Sequence, residues 1–320
     1  MQDYPWQADL WQKLKGNLER QHIPGAMLIQ AKIGLGPEAL VERYVAGLMC
    51  QNDASEPCGF CHACSLIASD SHPDVHFVEP EKDKKNLSVE QIRQANKWAL
   101  ESSQFGGYRL IILPQAERMN VSAANALLKT LEEPPSNCVF ILTTEHAQRL
   151  LPTIRSRCEV WHLSAPSQAQ SVDWVSAQLG KRISLRIAYL CQSEPLAIKS
   201  FVEQGREKEL DTLLSAFLSA VTNRNADVTA FMNVFLKSDV TFDEQLSWLW
   251  LVLASAQKQS LGLDQGEMIP EAAQLASLYS YQSLFKQSES LAELKKQLSE
   301  SSGLNAELLV TNWLYSFLTA

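Results

Sequence analysis

The fold is decided by residues 26–49, which read AMLIQAKIGLGPEALVERYVAGLM. The first six residues form an apolar run of the kind that a buried strand needs. Gly34 and Gly36 then favour a tight turn, and the apolar residues of 37–49 recur at helical spacing. We therefore predict a strand over 26–31, a glycine-containing turn and a helix over 37–49, which is the repeating unit of an α/β sheet.

Four further apolar runs follow before residue 164, and helix patterns lie between them. These runs predict strands over residues 75–79, 108–113, 138–144 and 159–163. Further helices are predicted over residues 88–102 and 122–133. Ser88 and Gln91 can form a capping box at the first of these, and Pro134 and Pro135 end the second. This alternation predicts a doubly wound α/β domain with a parallel sheet.

The rest of the chain is helical in pattern. After a linker-like segment at 164–167, helices are predicted over residues 167–180, 183–191 and 195–204, enough for a small three-helix domain. Five or six longer helices follow from about residue 206, among them 242–259, 291–298 and a last helix capped by Asn305. The predicted domains are an α/β domain over 1–163, a small helical domain over 164–205 and a second helical domain over 206–320.

Composition excludes several classes of protein. The chain has 320 residues, is 46% apolar and carries a formal charge of −8, so neither a disordered chain nor a stand-alone basic DNA-coating protein is expected. It has no apolar run of the 18 or so residues that a spanning helix needs, and residues 1–20 have no apolar signal-peptide core. We expect no membrane partner and a cytoplasmic location.

Four of the seven cysteines lie within fifteen residues, at Cys50, Cys58, Cys61 and Cys64. A C-x-x-C turn presents two thiolates to one ion, and zinc prefers four such ligands in a tetrahedron. Because four thiolates leave no open position, the spacing predicts a structural zinc ion. His62 could replace one cysteine. The cluster lies between the helix at 37–49 and the strand at 75–79, so we predict an inserted zinc module at about 50–64.

Other kinds of site that cysteines form agree less well with this spacing. A ferredoxin cluster needs a fourth cysteine three residues after the third, followed by proline, and none follows Cys64. A redox C-x-x-C pair would leave Cys50 and Cys64 without a role. A zinc module that binds nucleic acid would carry flanking basic or aromatic residues, whereas Glu56, Asp70 and Asp74 flank this cluster.

The turn after the first strand has the position of a phosphate-binding loop but lacks its chemistry. The pattern G-x-x-x-x-G-K-[ST] places a lysine on the phosphates and a hydroxyl on Mg²⁺. Gly36 fits the second glycine, and Ala31 stands where the first belongs. Pro37 replaces the lysine and Glu38 the hydroxyl residue, so the loop loses a positive charge and gains a negative one. We expect no functional nucleotide binding in the loop that contains Gly34, Gly36, Pro37 and Glu38.

The end of the third predicted strand shows a second loss of nucleotide chemistry. An acid that holds Mg²⁺ should follow the apolar run at 108–113. Pro114 and Gln115 follow it instead, and Glu117 stands several residues away. We interpret Glu117 as a solvated carboxylate at the start of a helix, and we expect no ATP hydrolysis by this chain.

Three segments resemble the AAA+ core of bacterial clamp loader subunits. They are ANALLKTLEEPP at 124–135, FILTT at 140–144 and IRSRC at 154–158. A four-cysteine insertion occurs at the same place in that family. The resemblance is strong over residues 24–163 and weaker afterwards, where GLNAELL at 303–309 is similar to the last helix of the family.

This resemblance implies a RecA-like AAA+ module over 1–163, a small helical lid over 164–205 and a helical collar over 206–320 through which five subunits form a ring. It also implies motor-type (gamma/tau) and delta clamp loader subunits as partners, together with the sliding clamp and, through the complex, primer–template DNA. Three motor-type subunits hydrolyse ATP in such a ring. Together with the lost phosphate chemistry, the resemblance implies that this chain is a rigid, non-hydrolysing member of a DNA polymerase III clamp loader.

The resemblance also assigns roles to single residues. Arg157, in the segment SRC at 156–158, matches the arginine finger of clamp loaders, whose planar, always-charged guanidinium would reach the γ-phosphate in the adjacent motor subunit. Without that match, Arg157 would be an exposed arginine paired with a carboxylate. Thr143 and Thr144 match the end of the sensor 1 strand, but without a phosphate in the loop we expect them only to pack at the end of the strand. Pro195 takes the position of a phosphate-contacting arginine of the lid, which is a third loss.

The leading hypothesis is therefore a non-hydrolysing clamp loader subunit that supplies Arg157 in trans and holds one structural zinc ion. The first alternative is a motor-type subunit with its own ATPase, which the residues Pro37, Glu38 and Pro114 oppose. The second alternative is the zinc-dependent nucleic-acid-binding module.

Overall fold

The computed structural model describes residues 2–52, 55–82, 84–222, 228–263, 269–300 and 303–318. Asp53 and Ala54, inside the predicted zinc module, lie outside the described residues. The chain forms two compact units, residues 1–166 and 167–320. Within the described residues, no helix is both long and apolar enough to cross a membrane.

The first unit is built on a five-stranded sheet in the order β2-β3-β4-β1-β5 with every pair parallel. All five strands agree with the predicted runs to within two residues at either end, so the parallel α/β fold class is confirmed. The strands are β1 (Ala26–Gln30), β2 (Val75–Phe77), β3 (Arg109–Leu113), β4 (Cys138–Thr144) and β5 (Glu159–His162).

Helices cover both faces of the sheet, which is why its central strands are apolar throughout. Met27 and Ile29 of β1 pack into the core cluster of one face, and Ala26 and Leu28 into that of the other, as the alternation of a strand requires. The face of Met27 is covered by α1 (Ala8–Glu19), α2 (Pro37–Met49) and α3 (His62–Ala68). The opposite face is covered by α4 (Val89–Leu100), α5 (Val121–Glu132) and α6 (Pro152–Arg155).

Helix ends follow the capping chemistry of the sequence. The predicted capping box forms at α4, where the Ser88 hydroxyl accepts from the Gln91 amide and the Gln91 side chain accepts from the Ser88 amide. Asn120 caps α5 in the same way through the amide of Ala123. The helices α1, α3 and α6 were not predicted. The segment of α1 contributes Leu10, Trp11, Leu14 and Leu18 to the core.

The described residues of the second unit form nine helices around one apolar core. Trp248 and Trp313 are buried in that core, whereas Trp250, which the sequence pattern also places in a core, is 40% exposed. Asn305 caps the last helix through the amide of Leu308. The helices are α7 (Gln168–Leu179), α8 (Leu185–Leu190), α9 (Pro195–Glu203), α10 (Glu207–Thr222), α11 (Val228–Lys237), α12 (Phe242–Ser260), α13 (Pro270–Leu278), α14 (Tyr281–Glu300) and α15 (Ala306–Leu318). The division at 205/206 stays a prediction, since one core cluster runs from Val175 to Phe317.

Candidate functional site

The loop after β1 has a well-defined backbone. A 3-10 turn over Ile33–Leu35 leads to Gly36, whose φ of 64° and ψ of 50° lie in the left-handed region that favours glycine. Pro37 then occupies the first position of α2, where a missing N–H costs nothing. The sequence therefore specifies the strand–turn–helix geometry of a phosphate loop while omitting its lysine and hydroxyl.

Three backbone N–H groups of the loop are engaged within the chain. The amide of Leu35 donates to the carbonyl of Lys32 at 3.0 Å, and that of Gly36 to the carbonyl of Ile33 at 2.9 Å. The amide of Ile33 donates to the Glu145 carboxylate, with 3.0 Å between N and Oε1. A carboxylate of the chain itself thus takes an amide of the kind that phosphate would use in a working loop.

The N-terminal residues bind the carbonyl side of the same loop. The side-chain amide of Gln7, which is 3% exposed, donates to the carbonyls of Leu35 at 2.9 Å and Gly36 at 2.7 Å. The indole N–H of Trp6 also donates to the carbonyl of Leu35, at 2.9 Å. These contacts fix the loop from the segment that precedes α1.

The electrostatic environment of the loop is negative. Burial raises the pKa of Glu38, and the carboxylates of Glu42 and Glu145 raise it further, against the lowering effect of a backbone hydrogen bond. Because these neighbouring carboxylates already destabilise the charged form of Glu38, the same group of carboxylates would repel an added phosphate. Glu38 and Glu42 also line a cavity of about 630 Å³. Pro114 and Thr143, at the carboxyl ends of β3 and β4, line the same cavity.

Residues at the ends of β3 and β4 are engaged with backbone groups. Thr143 Oγ1 accepts from the amide of Gln115 at 3.1 Å, and Thr144 Oγ1 from that of His146 at 3.2 Å. Glu117 accepts from the amide of Glu145 at 3.0 Å, and its second carboxylate oxygen is buried. Glu117 lies in the first turn of the 3-10 helix Ala116–Arg118, as predicted, but it is only partly exposed and braces the segment after β4, so it is not a freely solvated carboxylate.

Arg157 lies between α6 and β5, and its side chain is 29% exposed. Its Nη1 donates to the carbonyl of Thr153 at 2.9 Å and approaches the hydroxyl of Ser156 at 3.5 Å. Its Nη2 forms an ion pair with the carboxylate of Glu132 at the end of α5. This ion pair is what we expect of an exposed arginine that has no other role, and the structure identifies Glu132 as its partner.

Pro195, the predicted replacement of a lid arginine, is the first residue of α9 in the second unit.

The structure brings the four predicted cysteines together. The sulfur atoms of Cys50, Cys58, Cys61 and Cys64 all lie within 4.8 Å of one another, and none of the four cysteines forms a disulfide. Gly59 has a φ of 77° in the turn between the second and third of them. Amides also approach the sulfurs: that of Cys61 lies 3.4 Å from the sulfur of Cys58, and that of Cys64 lies 3.4 Å from the sulfur of Cys61.

Neighbouring thiols of the cluster differ in acidity. Burial works against the Cys58 thiolate, but the amides of Phe60 and Cys61 outweigh it and lower the pKa of Cys58 to about 6. Burial raises the pKa of Cys64 to about 12. One divalent cation at the centre would stabilise all four thiolates at once, which is the chemistry that this donor set fits.

His62 does not belong to the thiol cluster. Its ring stands edge-on to that of Phe105 at 5.8 Å between centroids, and no described histidine joins the four sulfurs. Phe60, between Cys58 and Cys61, is 80% exposed and had not been singled out from the sequence. The exposed aromatic is accompanied by acidic rather than basic neighbours along the chain.

Comparison with known proteins gives consistent matches. A family model described as DNA polymerase III, delta subunit matches residues 6–167, and one described as DNA polymerase III, delta subunit, C terminal matches 204–319. DNA polymerase III subunit delta' of Yersinia pestis is 34% identical over 99% of this chain and 96% of that protein. The protein of the same name from Escherichia coli K12 is 30% identical over 98% of this chain and 95% of that protein.

Solved structures add a weaker likeness. A DNA polymerase III gamma subunit-related protein of Thermotoga maritima covers 97% of this chain and 98% of that chain at 19% identity, with a TM-score of 0.45. Likeness at that level adds nothing to the matches in sequence, which extend over nearly the full length of the two bacterial relatives.

Proposed function

The chain belongs to the DNA polymerase III delta' family, and from that premise we propose that it supports sliding-clamp loading at primer–template DNA without hydrolysing ATP itself. As a member of that family it is an accessory, non-motor clamp loader subunit of DNA polymerase III. In this proposal Arg157 acts in trans, at the ATP site of a neighbouring motor-type subunit.

One observation carries the non-hydrolysing part of the proposal, namely the hydrogen bond from the amide of Ile33 to the carboxylate of Glu145. A nucleotide phosphate would have to displace this carboxylate and then face Pro37 and Glu38, neither of which can bind it. The same residues oppose the motor-type alternative. The chain would then contribute to ATP turnover only through groups that it presents to partners.

Arg157 is the group that suits this role. Its guanidinium is always charged and presents several N–H donors in a plane, which fits the charge that develops on a transferring phosphoryl group. A finger of this kind contributes ~10³–10⁵ to the rate of phosphoryl transfer. The partial exposure of Arg157 leaves it accessible to a partner, whereas a fully buried guanidinium would not be.

Assembly would involve the helical part of the chain. We propose that residues 164–205 form the lid and 206–320 the collar of the ring, and the boundary falls between α9, which ends at Glu203, and α10, which begins at Glu207. The partners proposed are the gamma/tau and delta subunits, the sliding clamp and, through the complex, DNA, in the cytoplasm. A chain of charge −8 fits such a complex if other subunits supply most of the phosphate contacts.

A titration of the purified full chain with Mg-ATP tests the non-hydrolysing role. We expect neither heat nor turnover at millimolar nucleotide, because the loop amides and carbonyls are already bonded within the chain. Micromolar binding with turnover would mean that this chain is a motor-type subunit with its own ATPase. The assay uses the same sample for calorimetry and hydrolysis, so that binding without turnover is also recognised.

The cysteine cluster is proposed to hold one structural zinc ion. Four ligands at a Zn–S distance of ~2.3 Å have sulfurs about 3.8 Å apart, close to the grouping of these four sulfurs. Zinc would crosslink the start of the 50–64 segment to α3, without an open position for a substrate.

Metal analysis tests this cofactor. The chain purified from cells should contain one zinc per molecule, and Cys64→Ser should lose it, with faster proteolysis of residues 50–64. Cys191→Ser, which removes a cysteine of the second unit, is the matched control and should keep the metal. A metal-free wild-type chain with an unchanged proteolysis pattern would refute the proposed zinc ion.

A further inference from the structure

The guanidinium of Arg157 is held by three acceptors of its own chain. Two lie on the preceding turn, the carbonyl of Thr153 and the hydroxyl of Ser156. The third is the carboxylate of Glu132, 25 residues earlier in sequence, at the last position of α5. Only the Glu132 contact joins opposite charges, so it is the contact that a competing anion would replace.

This holding contact has the properties of a reversible one. The side chain of Glu132 is 50% exposed and that of Arg157 is 29% exposed, so water and salt weaken their attraction. Hydrogen bonding of the guanidinium is also incomplete, because its Nε is buried without a partner. A phosphate group offers three oxygens to the same donors and more charge than a carboxylate.

We propose that Glu132 is a positioning residue that holds Arg157 within its own chain until a nucleotide phosphate of the neighbouring subunit replaces the carboxylate. This inference rests on the proposed role of Arg157 as an arginine finger. Its new content is the identity of the group that competes with the phosphate. Glu132 itself touches no substrate in this arrangement.

The competition has a defined kinetic consequence. Every engagement of Arg157 with the neighbouring nucleotide requires the Glu132–Arg157 pair to break, so the pair lowers the kcat/KM of that site for ATP. Exposed pairs of this type are weak, and their removal corresponds to about a two- to fivefold effect. Removal of Glu132 should therefore increase kcat/KM, which loss of a merely structural contact would not do.

The test uses Glu132→Gln in a clamp loader reconstituted from all subunits, with DNA-stimulated ATP turnover as the readout. We expect kcat/KM to rise about two- to fivefold, and this gain to shrink as salt increases and screens the pair in the wild type. Glu133→Gln is the matched control, because Glu133 is exposed and its substitution removes the same charge from the next position. It should leave kcat/KM unchanged.

A double-variant comparison separates the two proposals. In an Arg157→Ala background, Glu132→Gln should have no effect, since nothing remains to be held. A fall in kcat/KM for Glu132→Gln, no change, or an equal gain in the Arg157→Ala background would each overturn the role of Glu132. An Arg157→Ala complex with wild-type turnover would instead overturn the arginine finger, whatever Glu132→Gln does.

Discussion

Two regions of the first unit, the loop over residues 32–38 and the turn that carries Arg157, differ in how their polar groups are satisfied. Gln7, Glu145 and the loop itself bond the loop's amides and carbonyls, largely across segments far apart in sequence. Arg157 is held by a half-exposed carboxylate and two neutral oxygens. The chain thus fixes the geometry of the loop from several segments, and leaves the charge of Arg157 paired with a half-exposed partner.

This difference matters because hydrogen bonds differ in how easily they are replaced. Removal of a buried, fully bonded donor leaves acceptors unpaired and costs stability, whereas an exposed ion pair is exchanged for another anion at little cost. We therefore expect substitutions in the loop to change local stability, and substitutions at Arg157 to change the catalysis of a partner.

The largest effect is expected for Arg157→Ala in the reconstituted clamp loader. Turnover at the ATP site that faces Arg157 should fall by ~10³–10⁵, and bulk DNA-stimulated ATPase by the share of that site. Arg157→Lys should recover little of this loss, because an ammonium lacks the planar fork. Arg155→Ala, two residues away, serves as the control, and assembly is followed by gel filtration. Unchanged turnover in an assembled Arg157→Ala complex would contradict the role in a partner's catalysis that we expect of Arg157.

A smaller effect is expected for Gln7→Ala. The variant removes two donors to the carbonyls of Leu35 and Gly36, which should cost ~1–3 kcal/mol of local stability and accelerate amide hydrogen exchange in the loop by roughly 5- to 150-fold. Gln12→Ala, at an exposed position of α1, should stay within ~0.5 kcal/mol. Equal exchange rates in the two variants would show that the stability of the loop does not depend on the hydrogen bonds from Gln7.

The charge of Glu38 gives a pH-dependent effect. Because its pKa is raised in the folded chain, mainly by burial, the folded state binds the proton more tightly than the unfolded state does. Stability therefore falls as pH rises from the ordinary carboxyl value of 4.5 through the raised value. Glu38→Gln should raise the melting temperature at pH 7, with a gain that disappears below about pH 4.5. A pH-independent gain, or none, contradicts this explanation, and Glu19→Gln is the exposed control.

No effect is expected from restoring the missing phosphate-loop residues alone. Pro37→Lys with Glu38→Thr supplies the lysine and hydroxyl, but the Ile33 amide stays bonded to Glu145 and the Leu35 and Gly36 carbonyls to Gln7. Calorimetry with Mg-ATP should therefore still show no binding at millimolar nucleotide. Micromolar binding by this variant would mean that the loop lacks only the lysine and the hydroxyl. The hydrogen bonds within the loop would then not prevent nucleotide binding.

Local patterns in the sequence predicted most of the first unit. Short apolar runs located β1 to β5, and capping residues located the start of α4, because both depend on neighbours in the chain. The cysteine spacing likewise predicted a cluster that the structure brings together. The helix α1 was not predicted, although the spacing of Leu10, Leu14 and Leu18 is that of a helix and would have located it.

Contacts between distant segments could not be predicted in this way. Glu145 lies 112 residues from Ile33, and Glu132 lies 25 residues from Arg157. Their pairing depends on which strands are neighbours, and the order β2-β3-β4-β1-β5 is set by packing of the whole unit. The pairing of β1 with β4 brings the segment after β4 beside the loop, which no periodicity along the chain reveals.

The hydrogen bond between Ile33 and Glu145 also bears on the history of such a loop. Single substitutions that restore the lysine or the hydroxyl would leave this contact in place and so give no nucleotide binding. Substitutions that remove the contact would lower stability before any nucleotide could compensate, and since most proteins lie only a little above the stability that they need, selection would remove those variants. A loss of nucleotide binding would thus be difficult to reverse. Descendants of this chain would keep depending on partner subunits for ATP hydrolysis.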